Sequence, residues 1–136
     1  MNQSKKNNID NYKNNENYEE NKDIAIININ STKNNTLLHV KNIWGIYIMS
    51  LSVGLILKKK KGKGSVVFGG QMSSETISSK LINLGYTRLY LKIKGYGRGR
   101  ESTLYSLSCS GLTIEQLLDV TPRPHNGCRA KKSRRI

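Results

Sequence analysis

Near its C-terminus the chain runs TPRPHNGCRAKKSRRI, residues 121–136, which holds His125, Cys128, an Asn126-Gly127 pair and six basic side chains with no acid among them. A second stretch, KGYGRGRES (94–102), alternates glycines with Arg98 and Arg100. Three chemistries are open to such residues. A zinc site takes four protein ligands, or three and a water; His125 and Cys128 make two, and nothing in the spacing adds His39 or Cys109. Attack by a Cys128 thiolate with His125 as base wants a carboxylate to orient the imidazole, and Asp119 is the one acid nearby. Anion binding asks less. Pro122 and Pro124 hold the chain extended, Asn126-Gly127 makes a turn, and Arg123, Arg129, Lys131, Lys132, Arg134 and Arg135 repel one another until a polyanion separates them. His125 and Asn126 then serve as hydrogen-bonding contacts, and Cys128 as a small packed side chain.

The glycine turn bears on the same choice. It lacks the G-x-G-x-x-G spacing of a dinucleotide site, because Arg100 stands where the third glycine belongs, and it lacks the GK[ST] of a phosphate-binding loop. Gly95, Gly97 and Gly99 suit either a tight strand-to-helix turn or a phosphate cradle at a helix N-terminus, where free N–H groups favour anions. The turn alone does not require the two arginines; a cradle does. A third basic stretch, KKKKGKG (58–64), adds Lys58, Lys59, Lys60, Lys61 and Lys63 and reads as a loop, since consecutive lysines repel and two glycines loosen the backbone.

The elements that must carry these stretches fit one domain, because 136 residues cannot supply two sizeable cores. Residues 1–23 hold four lysines against five acids, so of the net +14 a surplus of +15 falls on residues 24–136. That surplus points to nucleic acid or an acidic membrane face. Two cysteines are too few for a disulfide framework and fit a reducing compartment. The stretch IWGIYIMSLSVGLIL (43–57) is too short to span a bilayer and reads as buried strand. The Asn/Lys/Glu tract of residues 1–23 has no secretory or ordinary transit pattern and is expected to be disordered.

From residue 24 the pattern changes. IAIININS (24–31) and TLLHVK (36–41) read as a hairpin, with Asn34 and Asn35 suited to positive φ in its turn, and GIYIMSLSV (45–53) completes a meander through Ile46, Ile48 and Leu51. Residues 69–84 place Met72, Ile77, Leu81 and Leu84 at helical spacing, closing at Gly85. TRLYLKIK (87–94) alternates as a strand, 101–110 reads as a helix ending at Gly111, and LTIEQLLDVT (112–121), helical by propensity in EQLLD, is placed as a strand by its position in a βαβ unit. The domain then spans 24–121, with residues 1–23 as a tail and 122–136 as a basic extension.

DVTPRPHNGCR (119–129) with KKSRR, preceded by KGYGRGRES, resembles the universal small-subunit ribosomal protein eleven family, with NNT (34–36) and FGGQ (68–71) in matching places. The resemblance covers residues 24–136. It implies a ribonuclease-H-like three-layer α/β domain with a mixed sheet and no catalysis, on the platform of the small subunit. The glycine–arginine turn and the extension would lie against small-subunit ribosomal RNA near the messenger exit and the E site, among neighbouring platform proteins, with no membrane and no cofactor. Tyr96 and Arg98 replace prolines usual in the family's turn and add a stacking face and a charge; Ala130 and Lys131 replace another proline pair, and Val67 a further proline. Joined to the abundance of Asn, Lys, Ile and Tyr, it points to an organellar genome, a mitochondrion before a plastid or an AT-rich bacterium. The competing class, an RNA-processing enzyme on the same frame, needs clustered carboxylates to hold two metal ions, and residues 24–136 offer only Glu75, Glu101, Glu115 and Asp119.

Overall fold

The computed structural model describes residues 23–59 and 66–133, without the side chains of Lys58 and Lys59. The expectations placed on the N-terminal tail up to residue 22, on Lys60, Lys61 and Lys63 and on Arg134 and Arg135 lie outside the described residues. Five strands form one mixed sheet in the order β3-β2-β1-β4-β5. β1 (Ile24–Ser31), β2 (Thr36–Asn42) and β3 (Tyr47–Ser52) make an antiparallel meander; β4 (Arg88–Lys94) lies parallel to β1, and β5 (Thr113–Asp119) parallel to β4. Helices α1 (Val53–Lys59), α2 (Val66–Asn83) and α3 (Gly99–Ser108) make the crossovers. This is the mixed α/β class and sheet that the resemblance implies.

Alternation along the central strands decides which face is covered. Ala25, Ile27, Ile29, Leu38, Val40, Leu89, Leu91 and Ile93 point to one side and are buried against Ile77 and Leu81 of α2 and Leu107 of α3. Of the three expected layers, the described residues supply the sheet and the helices on this one face. The opposite side chains of β1, β2 and β4 are half-buried or exposed, apart from Ile24 at the lower end.

Three expectations need correction. Residues 43–57 are not one buried strand: β3 is half-exposed, and at Val53 the chain turns into α1, whose first turn Ser52 caps by accepting the Leu55 N–H at 3.2 Å. Lys58 and Lys59 therefore belong to a helix rather than to the loop. The β1–β2 turn uses no positive φ at Asn34 or Asn35. The Thr32 hydroxyl closes it instead, donating to the Asn35 carbonyl at 2.8 Å and accepting the Asn35 N–H at 3.1 Å, while Asn35 Oδ1 takes the Gly54 N–H at 3.2 Å.

The third concerns α2. Ile77 and Leu81 are buried as expected, but Leu84 is 60% exposed and Met72 only half-buried. The helix packs through Gly69, Gly70, Ser73, Ser74 and Ser78, whose small size lets α1 and α3 approach: a Cβ on Gly69 would overlap Val53, and one on Gly70 would crowd Thr103. Buried hydroxyls are tolerated because Ser73 donates to the Gly69 carbonyl at 2.7 Å and Ser78 to that of Ser74 at 2.9 Å. The helix does end as expected, with Gly85 at φ +85, and Gly111 at φ +83 follows α3.

Candidate nucleic-acid interface

The glycine turn begins where β4 ends and is seated on the β1–β2 turn. Gly95 has φ +90, and a Cβ on it would overlap the Ser31 carbonyl oxygen; one on Gly97 would overlap that of Thr32. The Gly97 N–H donates to the Ser31 carbonyl at 3.2 Å. These glycines are thus required by close backbone approach, which answers one of the two readings left open by their spacing.

The arginines divide. Arg100 reaches back from α3, donating from Nη1 to the Gly95 carbonyl at 3.0 Å and from Nη2 to Asp119 Oδ2 at 2.6 Å. Asp119 Oδ1 accepts the Thr121 hydroxyl at 2.6 Å and the Thr121 N–H at 2.9 Å, and the Thr121 oxygen takes the Gly95 N–H at 3.1 Å. The end of β5 and the start of α3 are clasped together across the turn. The Thr121 hydroxyl, the Arg100 guanidinium and the Thr121 N–H hold the Asp119 carboxyl well below the usual carboxylate range. Arg98, by contrast, is exposed at the helix N-cap, and Tyr96 beside it is 80% exposed. A shallow depression of about 560 Å³ lies here, lined by Val67, Tyr96, Arg98, Arg100, Glu101 and Asp119.

From Pro122 to Ser133 the described chain has no helix or strand, and every one of these residues is exposed. Asn126 at φ 66 and Gly127 at φ 59 form the expected turn. Arg123, His125, Arg129, Lys131 and Lys132 all face solvent. Cys128 is also exposed, so it is not buried within the described fold. His125 and Cys128 have no third partner: among the described residues no group of three or more His, Cys, Asp or Glu could hold a metal. The carboxylates a nuclease would need are scattered, with Glu75 accepting from Gln71 at 2.9 Å, Glu115 paired with Arg88 at 3.2 Å and Asp119 paired with Arg100.

Sequence reasoning passed over Thr121 and the anchoring role of Asp119. The signal was present in Asp119-Val120-Thr121, because an Asp two residues before a backbone N–H readily closes on it.

The family model described as ribosomal protein S11 matches residues 25–135. Small ribosomal subunit protein uS11 of Kosmotoga olearia is 34% identical over 114 residues, covering 84% of this chain and 87% of that protein. Small ribosomal subunit protein uS11m of Prototheca wickerhamii is 39% identical over 112 residues, covering 82% of this chain and 87% of that protein.

Proposed function

The chain belongs to the ribosomal protein S11 family and is a small-subunit ribosomal protein, not an enzyme; from that premise we propose that it binds small-subunit ribosomal RNA on the platform, near the messenger exit and the E site. The observation that carries this reading is the segment 122–133, exposed throughout and bearing Arg123, Arg129, Lys131 and Lys132 with no acid to balance them. Such a segment gains its conformation when phosphates separate its charges. Arg98 adds an exposed cation on the glycine turn and Tyr96 a face on which a base can stack. Arg100 presents its charge from within the clasp, and Lys58, Lys59, Lys60, Lys61 and Lys63 add five further cations in the sequence. Neighbouring platform proteins complete the surroundings, and the N-terminal tail docks on one of them or on extended RNA. The Asn-, Lys-, Ile- and Tyr-rich composition supports a mitochondrial ribosome, and a uS11m stands among the relatives.

Sedimentation of organellar ribosomes tests both parts. The chain is expected in the small-subunit fraction of mitochondria, with ultraviolet cross-links from residues 122–136 to the RNA. A chain that sediments only with plastid or cytoplasmic ribosomes overturns the localisation, and cross-links confined to proteins overturn the RNA contact.

A further inference from the structure

The side of the sheet away from the helices has so far been given no role. Pairing places its side chains in rows, because residues opposite each other in neighbouring strands point the same way. The lowest of three rows runs Lys41, Ile26, Tyr90, Gln116 across β2, β1, β4 and β5. The next runs His39, Asn28, Lys92, Leu118, and the last Leu37, Asn30, Lys94. These rows contain three lysines and no acid. Below them Glu115, at the irregularity in the β4–β5 register, is tied to Arg88 at 3.2 Å.

We propose that this open face is a second RNA-binding surface, lying along the phosphate backbone of small-subunit ribosomal RNA. The proposal rests on the reading that this RNA is the partner; what it adds is a site formed by the sheet. The polar groups are set for it. The side chains of Asn28, Asn30, His39, Lys41, Lys92 and Lys94 make no hydrogen bond or ion pair with another described residue, although the two asparagines sit half-buried on the central strand. Their amide groups are open to solvent on this face rather than shut away from it, and phosphate oxygens or ribose 2′-hydroxyls match both the amides and the lysines between them. A protein partner fits less well, since apart from the neighbouring Ile26 and Tyr90 the apolar Leu37 and Leu118 stand in separate rows, divided by lysines and amides. The surface is also continuous with the first one: Lys94 immediately precedes Gly95, so an RNA strand can pass from the glycine turn onto the sheet.

The test uses the full-length chain and a transcript of the small-subunit ribosomal RNA from the same genome. Replacing Lys41, Lys92 and Lys94 together by Gln is expected to lower the slope of log affinity against log salt by roughly 2 units, at about 0.7 to 0.9 per phosphate, with the melting temperature unchanged. Lys92→Gln alone gives the same readout with the least disturbance, a drop of roughly 0.8. A photo-cross-linking residue in place of Asn28 is expected to capture RNA in assembled subunits. Unchanged slopes in both variants, with the slope lowered by deletion of residues 129–136, would overturn the sheet site and leave the RNA-binding reading standing. Absence of binding by the unaltered chain would overturn both. Capture of another ribosomal protein, or of this chain's own residues 1–22 with their Asp10, Glu16, Glu19 and Glu20, would also overturn the sheet site.

Discussion

The glycine–arginine turn and the C-terminal extension carry the same kind of charge, but the fold holds them in opposite ways. In the turn, Gly95 and Gly97 are pressed onto the carbonyls of Ser31 and Thr32, and Arg100 spends two donor groups on Gly95 and Asp119. Beyond Thr121 every described residue is exposed. A cation fixed by its own fold presents charge at one place with little ordering entropy left to lose on binding. A cation on an open segment reaches further but must be ordered by its partner. On the proposed RNA-binding reading, the turn would set register and the extension would supply affinity.

Deleting residues 129–136 should give the largest effect and the cleanest separation. It removes five cations, so the salt slope for ribosomal RNA binding should fall by roughly 4 units while the melting temperature stays the same. Cys128→Ser, at an exposed thiol in the same segment, should assemble and bind like the unaltered chain; loss of function there, with the deletion tolerated, would make the segment a chemical site.

Gly97→Val should do the reverse, because its side chain meets backbone that cannot step aside. Urea denaturation should show a loss of about 1–3 kcal/mol, whereas Gly127→Ala, in the open segment, should leave unfolding unchanged. Equal effects of the two substitutions would erase the distinction between the regions.

The smallest effect belongs to the clasp. Asp119→Asn weakens an exposed ion pair, so a slight drop in melting temperature is expected at neutral pH. The folded carboxyl titrates below its unfolded value of about 3.9, so its contribution is fully present above that pH and is lost as the pH falls through the folded value. The difference in melting temperature between the two proteins should hold from pH 8 down to about 5 and fade below about pH 4. A difference that instead fades between pH 6 and 7 would show that another group carries the clasp.

Sequence alone determined much of this protein. Alternation in IAIININS and RLYLKIK marked the central strands and their buried sides, since a period of two admits one assignment once a face is covered. Position in a βαβ unit made LTIEQLLD a strand against its helical propensity, and the observed β5 follows suit. The turn at Asn126-Gly127 was legible because an Asn-Gly pair adopts positive φ at little cost. The motifs around Gly95 and Pro122 carried the family as well.

Other features belonged to the tertiary structure, because each depends on which surfaces meet. The apolar stretch 43–57 divides between β3 and α1, and a run of apolar residues has no period that shows where one ends. The packing face of α2 is a stripe of Gly and Ser, invisible to a search for large apolar residues, since its value lies in the close approach of Val53 and Thr103. Arg98 and Arg100 stand two residues apart in one motif, yet one is exposed and the other clasped. That difference arises only because β5 returns Asp119 and Thr121 to the turn, 19 and 21 residues after Arg100 in the chain and within hydrogen-bond reach of it or of Gly95 in the fold.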